Sequence, residues 1–167
     1  MSVELKDPEE FKKWLRNLDQ DPITDILLKN SHLTKTQLET FLIDTIIPYL
    51  SGNKMITEEK TYFRIKGKIS KGSFNRTLKQ AQKNIIKSIY TFLLLGSLGI
   101  FDLPAFQQYI ELSSRLKDYL DLHRQVREES SSSSDELQRA ATIVSVREAL
   151  EKALNTLTSP KSLKYQT

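Results

Sequence analysis

The stretch "SKGSFNRTLKQAQKNIIKSIYTFLLL", residues 70–95, decides the fold because its pattern predicts one long helix. Apolar residues recur every three or four positions, so they share one face of a helix with about 3.6 residues per turn. These residues are Phe74, Leu78, Ala81, Ile85, Ile89, Phe92 and Leu93. We expect the helix to begin at Ser70 or Lys71 and to end near Leu95, before the breaking sequence "GSLGI".

The segments on both sides also predict helices, because each begins with a residue that commonly caps a helix. The candidate caps are Asp7, Asp21, Thr34, Asp102 and Asp135. The helix after Thr34 should bury Leu38, Phe41, Leu42, Thr45, Ile46 and Tyr49, and Pro48 should end or kink it. Residues 54–70 predict a short helix or extended segment with a turn at Gly67. The fold class is therefore all-α.

Composition divides the chain into a multi-helix domain and a tethered segment. Residues 1–129 form the predicted compact domain. Five consecutive serines, residues 130–134, predict a flexible linker, because serine neither packs well nor favours a helix. Residues 135–158 predict one amphipathic helix, and residues 159–167 a disordered tail.

The composition of the 167-residue chain excludes several kinds of chemistry. There is no cysteine, so disulfides, thiol nucleophiles and Cys-ligated metal centres are excluded. The apolar stretch 88–101 is shorter than a bilayer span, and the N-terminal sequence lacks the apolar core of a signal peptide. We therefore expect a cytoplasmic, nucleoid-associated protein that does not bind a membrane.

Positive charge is concentrated around the start of the long helix. Nine Lys or Arg residues lie between Lys60 and Lys87, and no Asp or Glu occurs from there until Asp102, although the whole chain carries only +4. An acid-free run is unusual for a solvated face, since like charges one turn apart repel. A plain solvated face nevertheless remains the alternative to a binding surface. We interpret the run as a phosphate-binding surface formed by Arg64, Lys66, Lys68, Lys71, Ser73, Asn75, Arg76, Lys79 and Lys83.

Catalytic and metal-binding motifs are not evident in the sequence. The two histidines, His32 and His123, lie far apart, and neither has a catalytic or metal-ligating motif around it. Five glycines in all leave little for an active-site loop. We therefore predict a protein that is not an enzyme by itself, with no cofactor and no metal.

Two resemblances refine this prediction. The sequence "KISKGSFNRTLKQAQKNI" resembles the recognition helix of helix-turn-helix proteins of the sigma-factor region 4 type, through Ile69, Ser70, Gly72, Ser73, Phe74 and Leu78. That resemblance implies a DNA-binding transcription regulator whose recognition helix spans about residues 71–87. It departs upstream, where "EKTYFRIKGK" lacks the small residue that lets the first helix cross the second.

The second resemblance covers residues 60–112, where a basic helix leads into "IYTFLLLGSLGI" and "FDLPAFQQYIEL". This order is similar to the helical C-terminal domain of the large primase subunit. Because the chain has no cysteine to ligate that domain's iron–sulfur cluster, it resembles the cluster-free third subunit of crenarchaeal primases. The resemblance implies a non-catalytic subunit that binds template or initiating-nucleotide phosphates through Arg64, Lys66, Lys68, Lys71, Arg76 and Lys79.

The resulting expectation is an accessory subunit of a DNA primase. Its partners would be the catalytic and large subunits of the primase, a DNA or RNA template, and a nucleotide. Two alternatives remain open at this point. One is the helix-turn-helix regulator, and the other is a structural adaptor whose charge merely keeps it in solution.

Overall fold

The computed structural model describes residues 8–51, 55–100, 103–128 and 133–158. Within these ranges the chain forms α-helices and one 3₁₀ turn, with no strand, which confirms the all-α prediction. The helices are α1 (Pro8–Gln20), α2 (Pro22–Lys29), α3 (Lys35–Ser51), α4 (Thr57–Lys60), α5 (Lys71–Ser97), α6 (Leu103–Glu128) and α7 (Ser133–Leu157), and the 3₁₀ turn spans Thr61–Phe63. No helix among the described residues combines the length and apolar character needed to cross a membrane.

Two of the predicted caps are visible as hydrogen bonds. The carboxylate of Asp21 accepts a hydrogen bond from the backbone N–H of Thr24 at 2.6 Å, at the start of α2. At the start of α3, the Thr34 hydroxyl accepts from the Gln37 N–H and the Gln37 side chain accepts from the Thr34 N–H. This reciprocal pair satisfies two backbone donors that a helix start leaves free. The predicted caps Asp7 and Asp102 lie outside the described residues.

The buried face of α3 agrees only in part with the predicted one. Ile46 is buried as predicted, but Ile43 and Ile47 are buried with it, whereas Thr45 is exposed and Tyr49 is 76% exposed. The helix also continues through Pro48 to Ser51 instead of ending there. Pro48 has no N–H to donate to the carbonyl of Asp44, one turn back. The ammonium of Lys60 approaches that carbonyl at 3.4 Å and the Asp44 carboxylate at 2.7 Å, so it partly replaces the missing donor.

The chain packs as two compact units, and the division falls inside α5, between Thr91 and Phe92. The first unit is centred on Phe11 of α1, which meets Phe63 edge to face with ring centroids 6.2 Å apart. Its buried cluster comprises Phe11, Leu15, Ile43, Ile46, Ile47, Phe63 and Phe74. Phe74 anchors the start of α5 in this core, so the orientation of α5 about its own axis is fixed at that end.

The second unit contains α6 and α7 packed against each other. Leu112, Leu116 and Tyr119 of α6 are buried together with Leu150 and Leu154 of α7. The division therefore differs from the predicted one, which grouped α6 with the N-terminal helices and left α7 on a tether. The predicted linker lies partly outside the described residues, and its last two members, Ser133 and Ser134, are helical. The predicted tail, 159–167, also lies outside them.

The predicted apolar face of α5 is buried in the first half of the helix only. Phe74 and Ala81 are fully buried, whereas Ile89 and Leu93 are more than half exposed. At the C-terminal end, Phe92 packs against Phe106 with ring centroids 4.5 Å apart, and a Cβ placed at Gly96 would lie 2.9 Å from the same ring. One side of the last turns of α5 is thus packed inside the second unit, while another side remains exposed.

Candidate nucleic-acid interface

The turn before α5 is built from local hydrogen bonds. Gly67 adopts a φ of 97°, which favours glycine, and its N–H donates to the carbonyl of Arg64 at 3.3 Å. This agrees with the turn predicted at Gly67. The Ser70 hydroxyl accepts a hydrogen bond from the N–H of Ser73 at 3.2 Å, and the Ser70 carbonyl accepts from the N–H of Phe74. Ser70 therefore caps α5, and the N–H of Ser73 is already bonded within the chain.

Arg64 lies inside the first unit and not on the predicted phosphate-binding surface. Its side chain is 6% exposed and forms an ion pair with Glu39 at 3.0 Å. The same guanidinium donates to the Thr40 hydroxyl at 2.7 Å and to the Thr36 carbonyl at 3.2 Å. Glu39 in turn accepts from the backbone N–H of Ile65 at 2.6 Å. Arg64 thus ties the segment before α5 to α3, and we leave it out of the interface.

Two of the predicted lysines are engaged by neighbours of their own unit. The ammonium of Lys71 pairs with Glu58 at 2.9 Å, and this ion pair holds the pKa of Glu58 below its usual range. The ammonium of Lys68 lies over the Tyr62 ring, 4.2 Å from the ring centroid. It also donates a hydrogen bond to the hydroxyl of Tyr62. Lys66 is exposed. Positive charge around the turn is therefore partly neutralised or held in place.

Four basic residues on the middle of α5 remain exposed. They are Arg76, Lys79, Lys83 and Lys87, which we call the α5 basic stripe. In an ideal helix at about 100° per residue they occupy an arc of roughly 80°. No ion pair engages them within the described part of the chain. The predicted residue Asn75 is half-buried beside the stripe, and Ser73 is also partly buried.

The stripe has a fixed position because the opposite side of α5 is anchored. Phe74 and Ala81 are buried in that side of the helix. Further along, the Asn84 side chain donates to the carbonyl of His32 at 2.7 Å and to the Gln37 side chain at 3.3 Å. These contacts bond α5 to residues at and just before the start of α3. The stripe therefore presents its charges on a rigid support, which lowers the entropy lost on binding.

Tyr90 extends the stripe by one turn and was missed in the sequence. It follows Lys87 by three residues and Lys83 by seven, so it lies on the same side of the helix. Its side chain is 70% exposed. The apolar run that follows Lys87 suggested a buried helix, and this hid the tyrosine. An exposed aromatic ring beside a row of cations is the combination that stacks on nucleic-acid bases.

The aromatic pair Tyr62 and Phe63, next to Arg64, differs from Tyr90. Phe63 belongs to the core of the first unit, so it is closed to a ligand. Tyr62 is more than half exposed, and the ammonium of Lys68 lies over one face of its ring. A base that stacks on that face would have to displace the lysine. The described surface therefore offers Tyr90 as the better stacking platform.

The arrangement around α5 differs from a helix-turn-helix. Such motifs join two helices by a turn of about three or four residues. Here α4 has a single turn, and seven residues, Arg64–Ser70, separate the 3₁₀ turn from α5. Among the described residues, no preceding helix is both long enough and close enough in sequence to act as the first helix of the motif. The geometry therefore does not favour the predicted regulator.

The described residues show no arrangement for metal binding. No group of three or more His, Asp or Glu lies close enough together among them to hold a metal ion. The His123 ring stacks on Tyr119 with centroids 5.8 Å apart, and His32 is exposed. A cavity of about 250 Å³ in the first unit is lined by leucines and charged residues of α1, α2 and α3 and by Ile65 and Lys66, with Asp19 paired to Lys35 at 3.0 Å. It contains no residue of the basic stripe.

Comparisons of the chain with protein-family models, with curated proteins and with solved structures found no match.

Proposed function

We propose that the protein is a nucleic-acid-binding accessory subunit that holds phosphates on the α5 basic stripe. The observation that supports this proposal is the exposure of Arg76, Lys79, Lys83 and Lys87 on one side of α5, where no acid of the described residues forms an ion pair with them. Basic residues that serve the fold lie beside counter-charges in the same structure, as Arg64 and Lys60 do. The four stripe residues form no such ion pair within the described part of the chain.

A nucleic-acid backbone fits the stripe better than a single small anion does. Successive stripe residues are three or four positions apart, which corresponds to about 4.5–6 Å along a helix. A row of cations at that spacing can follow successive phosphates of one strand. Tyr90 at the end of the row adds a surface on which a base can stack, and such stacking contributes about 1–3 kcal/mol per base. Binding of this kind reads the backbone and not the base sequence.

Within this class, the resemblance of residues 60–112 favours a DNA primase as the parent complex. In that setting the stripe would hold the template or the phosphates of the initiating nucleotide, and another subunit would perform the chemistry. The partners would be the catalytic and large subunits. This part of the proposal is tested by purification from the native host, since a subunit should copurify with a primase in a fixed ratio. Copurification with no polymerase component would contradict it.

Phosphate binding itself is tested by the Arg76 variants. Arg76 offers a planar fork that can bind a phosphate through two hydrogen bonds, which lysine cannot do. We expect Arg76→Ala, and more strongly Arg76→Glu, to weaken binding of a fluorescent oligonucleotide in an anisotropy titration. Losing one phosphate contact should also reduce the slope of log K against log salt by about 1 for a duplex or 0.7 for a single strand.

The matched control is Lys117→Ala on α6, an exposed lysine next to Asp118, which removes the same charge from a region where acids are interleaved. Its binding should equal that of the wild type. Unfolding by Arg76→Glu would mean that Arg76 is a structural partner and not a surface contact. If both Arg76 variants bind like the wild type across the salt series, the stripe is only a solvated face and does not bind phosphates.

A further inference from the structure

The cavity of the first unit has an apolar lining that reaches the surface, and phosphate binding on the α5 basic stripe does not use it. Its volume is about 250 Å³, and its lining comes from residues 15–66, all within the first unit. Leu15 is the buried apolar residue of the lining. The others are half-buried, namely Leu18, Leu28, Leu38, Leu42 and Ile65. A continuous apolar surface therefore runs from the core of the unit to solvent.

The volume limits the size of a bound molecule. An apolar cavity of about 150 Å³ in another protein binds benzene, which has about six non-hydrogen atoms to place. In proportion, a cavity of about 250 Å³ holds a molecule of about ten non-hydrogen atoms. Pockets for drug-sized ligands are larger, at about 300–1,000 Å³. The cavity therefore suits a small molecule and is too small for a nucleotide or a folded peptide.

One polar group of the lining has no partner within the fold. Thr24 is 9% exposed, and its hydroxyl oxygen is buried without a hydrogen-bond partner among the described residues. The large majority of buried polar side-chain atoms in folded proteins have such a partner. A water or a bound molecule inside the cavity would supply one. We therefore expect the cavity to be filled in solution, unlike a dry gap in an apolar core.

The charged residues of the lining indicate the charge of the ligand. The three carboxylates are each paired with a cation, as Asp19–Lys35 at 3.0 Å, Asp25–Lys29 at 2.6 Å and Glu39–Arg64 at 3.0 Å. Lys66 is exposed and forms no ion pair within the described part of the chain. A cationic ligand would have to displace one of the three pairs, whereas an anionic ligand meets the ammonium of Lys66. The lining therefore favours an apolar molecule with one negative charge.

We propose that this cavity binds a small amphipathic carboxylate. Its apolar body lies against the leucines, and its carboxylate pairs with the ammonium of Lys66, which a flexible four-carbon stem can carry to the ligand. Octanoate has the size that the cavity accommodates. The proposal is independent of the proposed function, because no residue of the α5 basic stripe lines the cavity. It also gives Lys66 a role different from the phosphate contact predicted from the sequence.

Binding is tested with octanoate, titrated over about 0.01–10 mM into the full chain and followed by methyl NMR, a range that covers the affinity expected for a ligand of this size. The methyl signals of Leu18, Leu28 and Leu38 should shift and reach saturation. Hexanoate, which lacks two methylenes, should bind about fifteenfold more weakly, because each buried methylene contributes about a factor of four. Cavity leucine signals that do not move, or shifts confined to the exposed Ile89 and Leu93, would overturn the proposal.

The charge contact is tested by Lys66→Glu, which replaces an attraction at the ligand carboxylate by a repulsion. Octanoate should bind at least about fivefold more weakly to this variant. Octanol, which has the same chain and no charge, should bind the variant and the wild type equally. The matched control is Lys13→Glu, an exposed lysine on α1 outside the lining, which should leave octanoate binding unchanged. Equal octanoate affinity in Lys66→Glu and the wild type would overturn the assignment of Lys66, and so would an equal loss for octanol or in the control.

Discussion

Replacing Arg64 should destabilise the protein without affecting nucleic-acid binding. In Arg64→Met the carboxylate of Glu39 stays buried, keeps its bond to the Ile65 N–H, and loses its cation at 3.0 Å. The Thr40 hydroxyl and Thr36 carbonyl each lose a donor as well. Removing one partner of a buried ion pair costs about 3–5 kcal/mol. For a unit of this size, that loss corresponds to a fall in Tm of more than about 10 °C.

The assay is urea unfolding followed by circular dichroism, with oligonucleotide affinity measured below the transition. The double variant Arg64→Met with Glu39→Gln should recover part of the lost free energy, because the unpaired charge is gone and the amide oxygen can still accept from Ile65. Unfolding of Arg64→Met at the wild-type urea concentration would contradict a structural role for the ion pair. A variant that stays equally stable but loses affinity would show that Arg64 is a phosphate contact.

Three further predictions concern single contacts. Asp21→Ala should lower the free energy of unfolding by about 1–2 kcal/mol through loss of the α2 cap, whereas Asp21→Asn should keep most of it, as measured in urea. Gly96→Ala should lower Tm because its Cβ would lie 2.9 Å from the Phe106 ring, and this contact should outweigh a gain in helix propensity of about 1 kcal/mol. The control is Gly72→Ala, which has open space around it and should not lower Tm. The lowered pKa of Glu58 means that its ionised form stabilises the fold above the unfolded pKa, and that this contribution is lost as the pH falls through the lower folded pKa. Glu58→Gln should therefore be less stable than the wild type at pH 7 and equally stable below that folded pKa, a difference that urea unfolding at both pH values would measure.

Helix positions were predictable because caps, glycines and apolar spacing act locally. The start of α5 and the Asp21 and Thr34 caps agree with the structure for this reason. Burial was predicted less well. The sequence cannot show which of several adjacent apolar positions faces a core, and in α3 the buried arc runs through Ile43 and Ile47 instead of Thr45 and Tyr49.

The candidate site was also predicted in part. An acid-free run identifies where positive charge is concentrated, but partners distant in sequence decide which charges are used internally. Arg64 pairs with Glu39, which lies 25 residues earlier in the chain, and no local pattern indicates this pair. The continuation of the stripe to Tyr90 could have been found by extending the helical spacing past Lys87. The exposure of the second half of α5 could not have been predicted in this way, because an apolar stripe on a helix usually indicates that the helix faces a core.

The most direct test of the account is the salt dependence of oligonucleotide binding by a variant with Arg76, Lys79, Lys83 and Lys87 all changed to Gln. Four phosphate contacts in the wild type predict a slope of log K against log salt of about −2.8 for a single strand or −3.6 for a duplex. The variant should keep its helical circular dichroism spectrum and show a slope close to zero. Equal slopes for the wild type and this variant would contradict the claim that the α5 basic stripe binds nucleic acid.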